Sequence, residues 1–339
     1  MIRHPMTTPA RISYAILAIT LTLVGVLHLG SPFLAVLFSY FTLRQLLLLA
    51  KNKWLALVLF VLLVAGIGYA GIHFTRAAVT ALPDIAENSI PSASAWAQAR
   101  QIELPFTDFE SLRAVVIETL KEQAQYVQNV AQFARAITTT LIFVFIGMVI
   151  AVSVFLNSRM EPYALANPPM DNLYSIVTRE ISDRFRGFYR SFATVMGAQI
   201  TISLINTVLT ALFVLAIGLP HAPIVICITF LCGLLPIVGN LISNTIIVCL
   251  AFTLSLKMAG VSLIFLIGVH KLEYFLNSKI IGNRIRNPVW LTLIALILGE
   301  RLMGIPGMIL APVVLNFLRV EMSKVKVQTA DATPAPGRP

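Results

Sequence analysis

The stretch 218–244, GLPHAPIVICITFLCGLLPIVGNLISN, decides how this chain is read. It is apolar enough for a bilayer, yet Gly218, Pro220, Pro236, Gly239, Asn240 and Asn244 interrupt it. A helix that only anchors a protein has no use for such residues, because Pro removes a backbone donor and Asn carries an amide that hydrocarbon does not satisfy. Irregular backbone at membrane depth persists only where it is buried in protein or faces a water-filled cavity. The stretch therefore predicts a polytopic membrane protein with a partly polar interior, which makes a transporter or channel the leading class.

Outward from that stretch, no Asp, Glu, Lys or Arg occurs between Arg190 and Lys257. That leaves room for three crossings at about 20 residues each. Gly218-Leu219-Pro220 ends one helix, and the break from Pro236 to Asn240 leaves 241–256 as a short seventh span. The eighth, 260–277, ends in a cluster of His270, Lys271, Glu273, Asn277 and Lys279. Glu273 is the first candidate for coupling, with His270 and Asn277 beside it. A carboxylate about one turn inside a helix end is costly unless it is paired or takes up a proton or cation. The plain alternative is a helix-end residue that snorkels or pairs with Lys271 or Lys279. Pro236, Gly239, Asn240 and Asn244 offer carbonyls and amides to a cargo, or else form a kink that serves packing alone.

The last apolar piece, 289–318, centres on Gly299-Glu300-Arg301-Leu302-Met303-Gly304-Ile305-Pro306-Gly307. A charged pair and a turn do not sit against lipid at mid-depth. Two half-length helices joined at Gly304, Pro306 and Gly307 make a re-entrant hairpin, with Glu300 and Arg301 paired at its tip beside a cavity or in interfacial water.

The N-terminal half is simpler. Spans are expected at 12–29, 33–50 and 55–74, with a tight turn at Leu29-Gly30-Ser31-Pro32. The first run is longer than a signal-peptide core and lacks a small-x-small cleavage site. Gly66 with Ala70, and Gly68 with Gly71, predict a close helix contact on the third span. Residues 76–135 form an extracytoplasmic insertion with a capping box at Thr107 and Glu110 and an apolar stripe from Leu112 to Val130. The fourth span, 136–156, follows. Then comes a basic helix capped by Asp171 that carries Arg179, Arg184, Arg186 and Arg190 beside Leu173, Ile176, Ile181, Phe185 and Phe188, the plain alternative being a solvated connector held by pairs such as Arg179 with Asp183. Such a helix suits the cytoplasmic interface and its anionic lipid. The fold is thus an all-α polytopic membrane protein with about eight transmembrane helices, a C-terminal re-entrant hairpin and an interfacial amphipathic helix. Its organisation is 1–75, 76–135, 136–190, a transport core over 191–319 and a disordered tail over 320–339. Both termini, with the basic loops, fall on the cytoplasmic side.

Composition agrees with a membrane chain. Of 339 residues 58% are hydrophobic and 12% charged, and mean hydropathy is +0.85, against about 25% charged residues in a soluble domain. The net charge of +10 is spread between apolar runs, so nucleic acid is not a partner. Cys227, Cys232 and Cys249 are odd in number and lie in apolar sequence, so they predict packing rather than disulfides or metal ligands. His221 and His270 lack the further ligands a metal needs. No GxxxxGK[ST] loop, HExxH or GxSxG is present, so neither nucleotide hydrolysis nor another enzymatic activity is expected, and no cofactor.

Taken in order, Gly218-Leu219-Pro220, Leu235-Pro236-Ile237-Val238-Gly239, Glu273 with Asn277, Ile281-Gly282, Asn287-Pro288 and Gly304-Ile305-Pro306-Gly307-Met308 with Pro312 resemble the autoinducer-2 exporter family of bacterial permeases. Asn240 stands where many relatives carry a second Pro, and Arg286-Asn287-Pro288 replaces a common His-Pro. The resemblance implies a homo-oligomeric inner-membrane exporter of a small signalling molecule, a cargo shared within the family with sodium- or lithium-for-proton exchange. A passive channel and a membrane scaffold are the other readings.

Overall fold

A computed structural model describes residues 7–98, 126–157, 172–235, 238–280 and 288–324. These form ten helices among the described residues: α1 Thr8–Val26, α2 Gly30–Ala50, α3 Lys53–Gln98, α4 Tyr126–Leu156, α5 Leu173–Ala216, α6 Ala222–Gly233, α7 Val238–Leu254, α8 Leu256–Ile280, α9 Val289–Met303 and α10 Ile305–Ser323. The protein is an all-α, multi-pass membrane protein. Six helices (α1, α2, α3, α4, α5 and α10) are long and apolar enough to cross a bilayer, while α6 and most of α7 are shorter apolar helices.

The turn after α1 comes earlier than Pro32. It is formed by Leu27, His28 and Leu29, with His28 in the left-handed region at φ 53°, so that Gly30 already begins α2. Pro32 then falls in the first turn of α2, where its missing N–H leaves no hydrogen bond unmade. The capping box at Thr107–Glu110, the stripe from Leu112 to Leu120, Asp171, Pro236, Arg286 and the tail from 325 lie outside the described residues, as does the side chain of Lys279. The cap of α5 is Asn172, whose carboxamide oxygen accepts from the Ser175 N–H at 2.9 Å.

Two helices are longer than the sequence pattern suggests. At 1.5 Å per residue, the 46 residues of α3 and 44 of α5 reach about 69 and 66 Å, more than twice the roughly 30 Å of hydrocarbon. The boundary expected at Arg190 falls inside α5, because neither Gly187 nor Ser191 is enough to end a helix whose flanks propagate. The basic segment and the fifth span are one rod. Its arginine pairs also differ from expectation: Arg186 approaches Asp183 at 3.7 Å, and Arg184 binds Glu180 at 2.8 Å.

Four apolar clusters hold the bundle among the described residues, the smallest being Leu296 with Met308 and Ala311 between α9 and α10. Leu17, Leu34, Phe188, Phe192, Met196, Val313 and Phe317 join α1, α2, α5 and α10. Val214, Leu219, Val225, Ile247, Ala251 and Leu266 join the far end of α5 to α6, α7 and α8. Leu43, Ala56, Phe60 and Phe155 join α2, α3 and α4. The α2–α4 contact is close: a Cβ on Gly147 would sit 2.6 Å from the Pro32 carbonyl oxygen. By contrast, nothing lies within 4 Å of a Cβ added at Gly66, Gly68 or Gly71. The close helix contact predicted there is not made among the described residues.

The C-terminal hairpin is present, turning at Gly304 with φ 63°. Its second arm is not half-length. α10 has 19 residues and runs antiparallel to α1, with Gly30 against Pro306 and Met303 at one end and Tyr14 against Glu321 at the other. The first arm, α9, is held to α10 where the backbones of Gly299 and Gly307 meet; a Cβ on either would overlap the other's carbonyl.

Candidate functional site

The last carbonyls of any helix lack partners within it, and at the end of α6 they are supplied by α5. Gln199 Nε2 donates to the Gly233 carbonyl at 2.7 Å, and Ser203 Oγ donates to the Phe230 carbonyl at 2.8 Å. This lets α6 stop after 12 residues in the interior without exposing bare backbone to hydrocarbon. On the far side of the break Gly239 presses on the Cys232 carbonyl so closely that a Cβ would overlap it. The glycine is required there by close approach.

One residue later, Asn240 Nδ2 donates to Glu273 Oε2 at 2.5 Å, tying α7 to α8. His270 Nδ1 lies 3.7 Å from the same oxygen, one turn back along α8. The Glu273 side chain is 15% exposed and that of His270 51%. Gln199, Ser203, Gly233, Gly239, Asn240, Glu273 and His270 are therefore linked by successive contacts across all four helices α5–α8. This is a polar layer within an apolar unit, containing one carboxylate. Asn244 is half-buried one turn further along α7, and Asn277 lies one turn beyond Glu273, its side chain outside the described residues.

Glu300 and Arg301 are elsewhere. Their side chains are 55% and 85% exposed, with Arg301 Nε and Glu300 Oε2 4.0 Å apart. The tip they occupy abuts the α1–α2 turn through Pro306 and Gly30, so Glu300 and Glu273, two separate candidates in the sequence, lie in different parts of the molecule. A shallow cleft of about 410 Å³ opens beside the same turn, lined by His28, Ser31, Arg135, Thr139, Thr140 and Phe143.

A third polar centre was not foreseen. Glu321, 4% exposed, accepts from Tyr14 Oη at 2.8 Å and from Arg184 Nη1 at 2.6 Å, and pairs with Lys324. Arg184 also binds Glu180 and stacks 4.3 Å above the Tyr14 ring. The joint locks α1, α5 and α10 together. Its sequence signal is weak: Glu321 stands alone among basic residues, and Arg184 belongs to a basic helix whose pattern suits the lipid interface. The role of α5 in the polar layer had a clearer trace. In the uncharged run 191–256, Gln199, Ser203, Asn206 and Thr210 recur at intervals of four, three and four, one face of a helix.

Among known proteins, the family described as AI-2E family transporter matches this chain over residues 12–325. A candidate transport protein of Bacillus subtilis (strain 168), YdbI, is 30% identical to it over 133 residues. That match covers 39% of this chain and spans 38% of the length of YdbI.

Proposed function

Since this chain belongs to the AI-2E transporter family, we propose that it is a secondary transporter of the bacterial inner membrane that exports a small signalling molecule of the autoinducer-2 type, or a similar small polar solute. The observation that carries this reading is the polar layer at the α6–α7 break, above all Glu273 held by Asn240. An intramembrane carboxylate marks a substrate or ion pathway by default, and discontinuous helices present free backbone groups to cargo. Glu273 is the coupling residue, Asn240 orients it, and His270 shares its proton. The basic loops favour cytoplasmic termini. Contact between Tyr14 near the start of α1 and Glu321 near the end of α10 supports one side for both.

Proteoliposomes loaded with autoinducer-2, with and without an imposed proton or sodium gradient, test the proposal. Gradient-dependent efflux that Glu273→Gln abolishes or uncouples is the expected result. Efflux indifferent to both gradients and to the substitution would leave a passive facilitator. The carboxylate also favours a second reading, exchange of sodium or lithium for protons. A trapped pH dye that responds to sodium or lithium when no organic solute moves would select it.

A further inference from the structure

Asn206 is a buried side chain whose acceptor finds no partner. The residue is 6% exposed, and its Oδ1 has no donor among the described residues. Its neighbours on α5 are matched: Gln199 and Ser203 donate to α6 carbonyls, and Thr207 donates to its own helix at 2.7 Å. Asn206 follows Ser203 by three residues and Gln199 by seven, so it lies on the face of α5 that these two direct at α6. Ser262 Oγ on α8 is also buried and unmatched, but a serine hydroxyl can rotate onto the carbonyl one turn back. An amide oxygen has no such outlet, and leaving it unmatched costs free energy in every state of the protein that does not supply a donor.

We propose that Asn206 Oδ1 is a cargo contact that determines specificity, accepting a hydrogen bond from an O–H or N–H group of the solute. The inference rests on the reading of α5–α8 as the transport core and names the chemistry recognised there. A hydrogen-bond donor fits better than a bare cation. Hard cations take several oxygens at once, whereas Ser203 Oγ and Gln199 Nε2, one and two turns away, are directed as donors at backbone carbonyls. A site built to accept from a donor rejects analogues that lack it, because the acceptor is then left unpaired.

Two measurements test this. In a protein with Cys227, Cys232 and Cys249 changed to serine, Asn206→Cys in nanodiscs is exposed to 2-aminoethyl methanethiosulfonate, with Arg186→Cys as an exposed control. The expected result is labelling of both, with autoinducer-2 slowing the reaction at 206 alone. A thiol at 206 that stays unreactive while the control labels would overturn the inference. In proteoliposomes, Asn206→Leu should raise the half-saturating concentration of autoinducer-2 about tenfold, the loss of one hydrogen bond, while the melting temperature holds or rises. An unchanged half-saturating concentration would overturn it. If the unsubstituted protein moves no autoinducer-2, the cargo proposed above is what fails, and the labelling result alone decides the role of Asn206.

Discussion

Glu321 and Glu273 are both largely buried, at 4% and 15% side-chain exposure, but they are held in opposite ways. Glu321 sits among Arg184, Lys324 and the Tyr14 hydroxyl, so its charge is compensated twice over. Glu273 has one carboxamide on it and an imidazole at 3.7 Å. The first arrangement resists any change of protonation or position. The second ties the carboxylate to a single neutral donor on α7, which is the arrangement the proposed coupling role needs. A membrane protein that moves cargo needs both, a frame that stays put and a polar centre that does not. α5 carries one in its first half and faces the other in its second.

The sharpest way to break this contrast is to remove the frame carboxylate. Glu321→Ala leaves Arg184, 16% exposed, with Glu180 as its one remaining acidic partner among the described residues and the Tyr14 ring beneath it. Stripping one partner from a buried ion pair typically costs about 3–5 kcal/mol. The retained Glu180 puts this variant near 3 kcal/mol by the same rule. Chemical unfolding in detergent micelles should show that loss, and a change below 1 kcal/mol would mean that Glu321 is no more fixed than Glu273.

How much of this contrast was legible in the sequence depends on what each centre is made of. The helical class, the hairpin turn at Gly304 and the break before Asn240 were readable, because glycine, proline and asparagine in apolar sequence have few other uses. Glu273 was readable for the same reason, as a charge where charge is expensive. Glu321 was not, since a lone acid in a basic terminal segment looks solvated until α10 is seen to lie along α1. The continuity of α5 through Arg190 was hidden as well. A change from basic-amphipathic to uncharged sequence marks a change of solvent, from interface to hydrocarbon, and a helix crosses that boundary without breaking. The glycines of α3 mislead in the other direction: small-residue spacing permits close approach, but no helix among the described residues takes it up.

A substitution in the hairpin separates the frame from what it supports. Gly307→Val places a side chain into the Gly299 carbonyl, and overpacking of this kind typically costs about 1–3 kcal/mol. It should free α9 without disturbing the Glu321 joint. A disulfide between cysteines placed at the α9–α10 contact should then form more slowly in the valine variant, while thermal unfolding shifts less than in Glu321→Ala. Next in size is Glu273→Gln. Asn240 Nδ2 still finds an amide oxygen in the new side chain, so stability should change by no more than about 1 kcal/mol. Transport should nonetheless lose its dependence on the proton gradient. A variant that unfolds instead would place Glu273 with Glu321 as part of the frame.

The smallest effect expected is the most direct control on burial. Arg186 is two residues from Arg184 on the same helix, pairs with Asp183 at 3.7 Å, and has a side chain that is 42% exposed. Arg184 is 16% exposed and contacts Glu180, Glu321 and the Tyr14 ring. The two guanidiniums carry the same charge at nearly the same position in sequence, so they differ in what surrounds them rather than in kind. An exposed pair contributes about 0–1 kcal/mol once solvent screening and side-chain entropy are counted. Arg186→Gln should therefore shift unfolding by less than about 0.5 kcal/mol, whereas Arg184→Gln leaves Glu321 with Lys324 and Tyr14 alone and should shift it several-fold more. Equal losses in the two variants would show that α5 is stabilised along its whole basic segment by summed charge, and that the buried joint at Glu321 has no privileged place in holding α1, α5 and α10 together.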